Sequence, residues 1–158
     1  MSVLIDTGVF YAFYNKRDVH HLDSICILFH ALEGKWGSVF TTLSVVSETA
    51  TLLRYRIGIN TTLAFLHALE RAGVRIIFFD EWLYQKTIKV LSRYREKNLS
   101  FTDASIIATL INFKISLLAT YDERSCSGIV SNVIGREYSQ TIPSNELKKA
   151  QEEARKWK

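Results

Sequence analysis

Cysteine is scarce in this chain. Cys26 and Cys126 stand alone, in unrelated contexts and without a Cys-x-x-Cys spacing, which argues against a disulfide framework and against a thiolate zinc site. No apolar run approaches the roughly 18 residues of a membrane span, and Ser2-Val3-Leu4-Ile5 meets Asp6 too soon to be the core of a signal peptide. The expectation is a soluble protein of a reducing compartment, the cytoplasm, with no membrane partner. Also missing are Gly-x-Gly-x-x-Gly, the P-loop pattern and His-Glu-x-x-His, so nucleotide-cofactor binding and zinc-protease chemistry have no support. His20 and His21 are adjacent and point in different directions from any regular element, while His30 and His67 lie within amphipathic segments as ordinary helix residues.

What is present suffices for one folded unit. The chain has 158 residues, of which 47% are hydrophobic and 12% aromatic, a composition that builds a core and argues against disorder. Its net charge of +4 is compatible with a polyanionic partner, although a basic face is often only a solvated one.

Short β-branched runs alternate with longer segments of helical period. Strands are predicted over residues 3–5, 38–41, 74–79 and 115–120, and helices over 9–14, 21–32, 44–55, 61–72, 80–97 and 102–113. Within 44–55, Val46, Ala50 and Leu53 share one face and Glu48 lies on its flank. A further edge strand is sketched around 129–134, and Pro143-Ser144 opens a last helix rich in Lys and Glu. This order is that of an α/β fold, a mainly parallel sheet of four or five strands covered by helices on both faces, because its strands are apolar rather than alternating.

Four acids fall at corresponding places in that plan. Asp6 follows the first strand, Glu48 lies in the first turns of the helix after the second, Asp103 opens the helix before the fourth, and Asp122 follows that fourth strand. In a parallel sheet the carboxyl ends of the strands share one edge, so all four can meet there. Carboxylates brought together raise one another's pKa unless a cation sits among them. A set of hard oxygen donors selects Mg²⁺ or Mn²⁺, and such a site suits hydrolysis of a phosphodiester.

The same residues carry a resemblance. Val3-Leu4-Ile5-Asp6-Thr7, the helix with Ser47-Glu48, Leu99-Ser100-Phe101-Thr102-Asp103-Ala104 and Leu118-Ala119-Thr120-Tyr121-Asp122 together resemble the PIN domain, most of all the VapC-type toxin ribonucleases. The resemblance covers about residues 2–122 and implies a PIN-like three-layer sandwich and a metal-dependent ribonuclease. By position it implies that Asp6, Glu48, Asp103 and Asp122 bind the metal and that Thr7 is a pocket hydroxyl. It further implies a homodimer and an antitoxin protein that blocks the acidic pocket. The family often carries a Phe shortly after the last acid; here Glu123-Arg124-Ser125-Cys126 stands instead, a departure that touches the last loop and not the acid. Residues 1–142 are read as the PIN-like nuclease domain and 143–158 as a charged C-terminal helix, part of that domain or an extension of it.

Each acid also has a plainer reading. Asp6 and Asp122 are suited to turns at strand ends, Glu48 to a solvated helix flank, and Asp103 to a capping box with Ser100. Asp80 superficially makes a fifth member but is read as the N-cap of its helix. The run from Lys86 to Lys97 sets Lys86, Lys89, Arg93, Arg95 and Lys97 against Glu96 alone. Lys89 and Arg93 there, with Arg54 and Arg56 beyond Glu48, are candidate guides for an RNA backbone, and Tyr11, Tyr14 or Tyr121 for stacking on bases of a single strand. A PIN nuclease of RNA processing would use the same four acids, and an interaction module could keep the fold without binding metal. Asp6-Thr7-Gly8 also matches the aspartic-protease triplet, but that class is all-β and needs a second such aspartate.

Overall fold

The computed structural model describes residues 1–157. Its five strands are β1 (Ser2–Ile5), β2 (Ser38–Thr42), β3 (Arg75–Ile77), β4 (Leu117–Ala119) and β5 (Val133–Ile134), joined in the order β3-β2-β1-β4-β5 with every pairing parallel. Parallel neighbours need crossovers, and helices supply them. These are α1 (Thr7–Tyr14), α2 (His21–Leu32), α3 (Leu43–Arg56), α4 (Ile59–Arg71), α5 (Glu81–Arg93), α6 (Phe101–Phe113), α7 (Glu123–Cys126) and α8 (Ser144–Ala154). A 3₁₀ turn over Tyr138–Thr141 precedes α8. The result is the predicted α/β layering, with the sheet wholly parallel.

The central strand explains itself. Val3, Leu4 and Ile5 are 0% exposed because β1 has a strand on each side and helices above and below, so a continuous apolar run is what that position requires. Each such side chain contributes roughly 1.5–3 kcal/mol by leaving water. The main core joins β1 to α1, α2, α3 and α4 through Phe10, Ile27, Leu53 and Phe65 among others, and includes Ala150 and Ala154 of α8. A smaller cluster of Leu83 and Val90 from α5 with Ala104, Ile107 and Ala108 from α6 packs that helix pair together.

Several boundaries differ from the sequence expectation for local reasons. The strand predicted over 74–79 is only Arg75–Ile77, since exposed Phe78 already leads into Asp80, whose side chain accepts from Leu83 N at 2.8 Å and caps α5. That is the capping role expected of Asp80. The helix predicted to 97 stops at Arg93; Lys97 N bonds Tyr94 O and Lys97 Nζ donates to Ser127 O at 2.6 Å, turning the chain toward Ser100. The sketched edge strand shrinks to Val133–Ile134. Gly135 follows it, where a Cβ would stand 2.0 Å from Thr120 O, so the missing side chain is what lets the backbone lie against β4. Among the described residues no helix is long and apolar enough to cross a membrane.

Candidate metal centre

The strand order reverses direction between β1 and β4: from β1 the chain builds outward through β2 and β3 on one side, then returns to lay β4 and β5 on the other. A crevice opens at such a switch point, beyond the carboxyl ends of the strands. Asp6 leaves β1 there, Thr120 and Asp122 leave β4, and α6, which must run back to begin β4, has its N-terminus and Asp103 at the same edge. Asp6, Asp103 and Asp122 line one small pocket with Thr120, Ser125, Cys126 and the apolar floor of Ile106, Ile107 and Leu118.

Each acid is held by its local structure. Asp6 caps α1, its Oδ1 accepting from Thr7 N at 2.6 Å, while its Oδ2 accepts from Thr120 Oγ1 at 2.6 Å. Asp103 completes the predicted capping box: Ser100 Oγ accepts from Asp103 N at 3.0 Å and Asp103 Oδ2 accepts from Ser100 N at 2.8 Å. Asp122 caps α7, with Ser125 N at 3.2 Å on Oδ1 and Ser125 Oγ at 2.5 Å on Oδ2. The capping reading of Asp103 therefore describes real bonds, Asp6 and Asp122 are caps as well and not merely turn residues, and these bonds place the carboxylates as well as satisfy the helix ends.

Glu48 stands apart. It is exposed on α3, does not line the pocket, and reaches the group through Thr7, whose Oγ1 donates to Glu48 Oε2 at 3.4 Å. Thr7 itself is buried, between Asp6 and Glu48.

The carboxyl of Asp6 is perturbed by its surroundings, burial above all. Burial pushes its carboxyl up to about 6; the bonds from Thr120 and Thr7 oppose this, and the charges of Asp103 and Glu48 add to it. Cys126, at the pocket wall, is a buried thiol raised chiefly by burial, so it stays protonated and is a poor ligand. The donors that face the pocket are thus carboxylate and hydroxyl oxygens, the chemistry of a hard divalent cation. Their spacing is looser than a filled site needs, since among the described residues no three His, Cys, Asp or Glu side chains stand close enough together to hold an ion. A cation bound there would have to draw the carboxylates closer together.

The predicted basic residues Arg54, Arg56, Lys89 and Arg93 are all exposed, and none pairs with a carboxylate among the described residues. Arg93 lies over the Tyr94 ring at 5.5 Å. Tyr121 is a correction: it is buried, its hydroxyl bonded to Ser24 Oγ at 2.6 Å and its ring stacked on His20 at 4.2 Å, so it is spent inside the fold and offers no face to a base. Tyr14 packs edge-on against Phe65 and Phe13. His30 is buried between the Tyr138 hydroxyl at 2.7 Å and the Glu146 carboxylate at 3.0 Å, tying α2 to α8.

One residue of the site escapes a residue-by-residue reading. Thr120 Oγ1 donates to Asp6 and accepts from Asp122 N at 3.1 Å, linking the acids that end β1 and β4. Its place within Thr120-Tyr121-Asp122 is visible in the sequence, but its partner lies 114 residues away.

Comparison with known proteins identifies the family and the fold. The PIN domain family model matches residues 3–127. The VapC ribonuclease of Archaeoglobus fulgidus is 38% identical over 151 residues, spanning 94% of this chain and 92% of that protein. Among solved structures, the VapC20 toxin of Mycobacterium tuberculosis, described as cleaving the sarcin-ricin loop, superposes with a TM-score of 0.71 at 26% identity over 81% of this chain and 96% of its own. FitAcB of Neisseria gonorrhoeae, at 21% identity with a TM-score of 0.61 over 84% of this chain and 96% of its own, shares the fold. With the family model spanning most of its length and a relative of this identity matching nearly end to end, the chain belongs to the PIN domain family.

Proposed function

We propose that this protein is an endoribonuclease dependent on Mg²⁺ or Mn²⁺, the toxin of a toxin–antitoxin pair, with Asp6, Glu48, Asp103 and Asp122 as its metal-binding carboxylates. The observation that carries the reading is the convergence of Asp6, Asp103 and Asp122 on one pocket at the strand-order switch. The VapC ribonuclease at 38% identity supports RNA as the substrate, and the toxin at 26% identity supports the physiological role and hence an antitoxin partner.

A divalent cation, when bound, supplies Lewis-acid activation of water and neutralises charge developing at phosphorus. The chain's own groups prepare for that. Asp6 is fixed from both oxygens, by Thr7 N and Thr120 Oγ1, so its orientation does not have to be found on binding. Thr7 Oγ1, now donating to Glu48, is the hydroxyl placed to exchange that bond for a water or a phosphate oxygen. Asp103 and Asp122 bring the remaining charge, and the apolar floor of Ile106, Ile107 and Leu118 strengthens electrostatic interactions by excluding water. Exposed Arg54, Arg56, Lys89 and Arg93 would lead the RNA backbone toward the acids. A cytoplasmic location fits an RNA substrate and two unpaired thiols. A homodimer is part of the reading, supported by the exposed aromatic side chains Trp82 and Tyr84 of α5 and Phe101 and Phe113 of α6.

A second reading keeps the family fold as a binding module without catalysis. It is favoured by the loose spacing of the acids.

Cleavage of a labelled RNA pool in Mg²⁺ or Mn²⁺, beside EDTA and beside Asp103→Asn, separates the two. Asn retains an oxygen for Ser100 N, so the variant keeps its helix cap. Metal-dependent cuts that vanish in EDTA and in the variant are expected. No cleavage in either metal, together with no rise in thermal midpoint on adding metal, would overturn the nuclease in favour of the module. Growth arrest on expression, relieved by a small co-expressed protein, separates a toxin from a PIN nuclease of RNA processing.

A further inference from the structure

Just beyond β5, Arg136 stands at the carboxyl edge of the sheet, beside the end of β4. Its side chain is exposed and pairs with no carboxylate among the described residues, yet its Nε donates to Tyr121 O at 3.3 Å. That carbonyl belongs to the peptide unit whose N–H is that of Asp122. The peptide is trans, so its polar ends point in opposite directions: the carbonyl toward Arg136, the N–H toward Thr120 Oγ1 at 3.1 Å. Thr120 Oγ1 in turn donates to Asp6 Oδ2 at 2.6 Å. An unbroken series of hydrogen bonds thus runs from Arg136 through a peptide and a hydroxyl to Asp6, with every donor aimed the same way.

The direction is fixed by the hydroxyl. Thr120 has a single hydroxyl proton, and the Asp122 N–H already occupies a lone pair of its oxygen, which leaves the proton for Asp6. Aligned bonds polarise one another, so holding the first carbonyl strengthens the last donor. The guanidinium charge is exposed and screened by water; what passes along the series is orientation. Arg136 is also held from both sides. Before it, Gly135 lies so close to β4 that a Cβ would stand 2.0 Å from Thr120 O. After it, Glu137 has a left-handed φ of 61°, and its N–H donates at 3.0 Å to the buried carboxylate of Asp23, which also accepts from Ser139 N at 2.8 Å. A left-handed backbone is unfavourable for glutamate, so Asp23 keeps this segment in a form it would not hold by itself.

We propose that Arg136 is a positioning residue for Asp6, acting through the Tyr121–Asp122 peptide and Thr120. In this role it touches neither metal nor RNA, and its use in catalysis rests on the reading of Asp6 as a metal-binding carboxylate.

Two readouts on the full chain test this: Mn²⁺ affinity by titration calorimetry and, in EDTA, exchange of the Asp122 amide proton by NMR. Arg136→Met keeps the length of the side chain and removes the donor, whereas Arg136→Gln keeps a donor at the position of Nε without the charge. Arg136 is exposed, so neither replacement disturbs the core. Arg136→Met is expected to weaken Mn²⁺ binding about fivefold, less than the roughly tenfold of Thr120→Val, which removes the bond to Asp6 itself. In the Thr120→Val background Arg136→Met should weaken binding no further, because the series is already broken. Exchange at Asp122 should rise about fivefold in Arg136→Met, and Arg136→Gln should match the wild type in both readouts. A loss of Mn²⁺ affinity that adds to that of Thr120→Val, or that Arg136→Gln shares, overturns the proposal, as does Arg136→Met binding Mn²⁺ as the wild type does. A wild type that binds no Mn²⁺ fails the metal reading alone; the series to Asp6 is then upheld by faster Asp122 exchange in Arg136→Met but not in Arg136→Gln, and refuted by unchanged exchange.

Discussion

Replacing Asp6 by asparagine should make the metal-free protein more stable at neutral pH, although it removes a residue central to the proposed activity. The carboxyl titrates near 6 in the folded chain against 3.8 in a model peptide, with burial the largest cause. As pH rises through 3.8 the unfolded chain releases this proton first, and the folded chain follows only near 6. The stability conferred by a neutral Asp6 is therefore whole below about 3.8, declines between the two values, and is gone above about 6. At about 1.4 kcal/mol per pH unit between them, ionised Asp6 costs the native state about 3 kcal/mol at pH 7.5. Asparagine carries no such charge. Its carbonyl oxygen can still accept from Thr7 N, but its amide must donate to Thr120 Oγ1 where the carboxylate accepted, a rearrangement worth about 1 kcal/mol. Asp6→Asn is thus expected to gain about 2 kcal/mol at pH 7.5 in EDTA and to gain nothing, or lose about 1 kcal/mol, at pH 4. Urea unfolding at pH 4, 5.5 and 7.5 measures both limbs. An advantage of Asp6→Asn that does not grow between pH 4 and 7.5 would refute the burial argument. Adding Mn²⁺ at pH 7.5 should then stabilise the wild type and not the variant.

Three other outcomes follow from the same contacts. Gly135→Ala would drive a methyl into Thr120 O and is expected to cost about 1–3 kcal/mol in urea unfolding, with a loss of RNA cleavage larger than the loss of folded protein, because Thr120 holds Asp6. Thr120→Val keeps the shape of the side chain and removes the hydroxyl that joins Asp6 to Asp122 N; cleavage should fall about tenfold or more while far-UV circular dichroism is unchanged. If the exposed basic residues guide RNA, Arg54→Gln, Arg56→Gln, Lys89→Gln and Arg93→Gln should each weaken binding alike for different RNA sequences and lower the slope of log affinity against log salt by about 0.7. An unchanged slope in a given variant removes that residue from the RNA path.

Local chemistry made much of the fold readable in advance. The helix over His21–Leu32 follows from its apolar spacing, α5 begins where Asp80 can cap it, and α6 begins where Ser100 and Asp103 can bond each other's backbone. These signals lie within a turn or two of chain, where a periodicity or a cap acts without help from elsewhere. The parallel sheet was readable because Val3, Leu4 and Ile5 form an apolar run that only a strand covered on both sides would carry. Asp6, Asp103 and Asp122 were legible as a group because each follows a strand or opens a helix at the edge that such a sheet must share.

Tertiary structure alone decided the rest. That β4 inserts beside β1, bringing Thr120 within 2.6 Å of Asp6 across 114 residues, depends on the crossovers and on helix packing, which no local pattern encodes. The same packing leaves Glu48 exposed and linked only through Thr7, turns Tyr121 inward onto His20 and Ser24, and lays α8 over α2 so that a half-open apolar groove remains among Phe10, Phe65 and Ala154. A sequence specifies which side chains want burial and which termini want caps; which of them meet is set by the one arrangement that buries all of the apolar faces together.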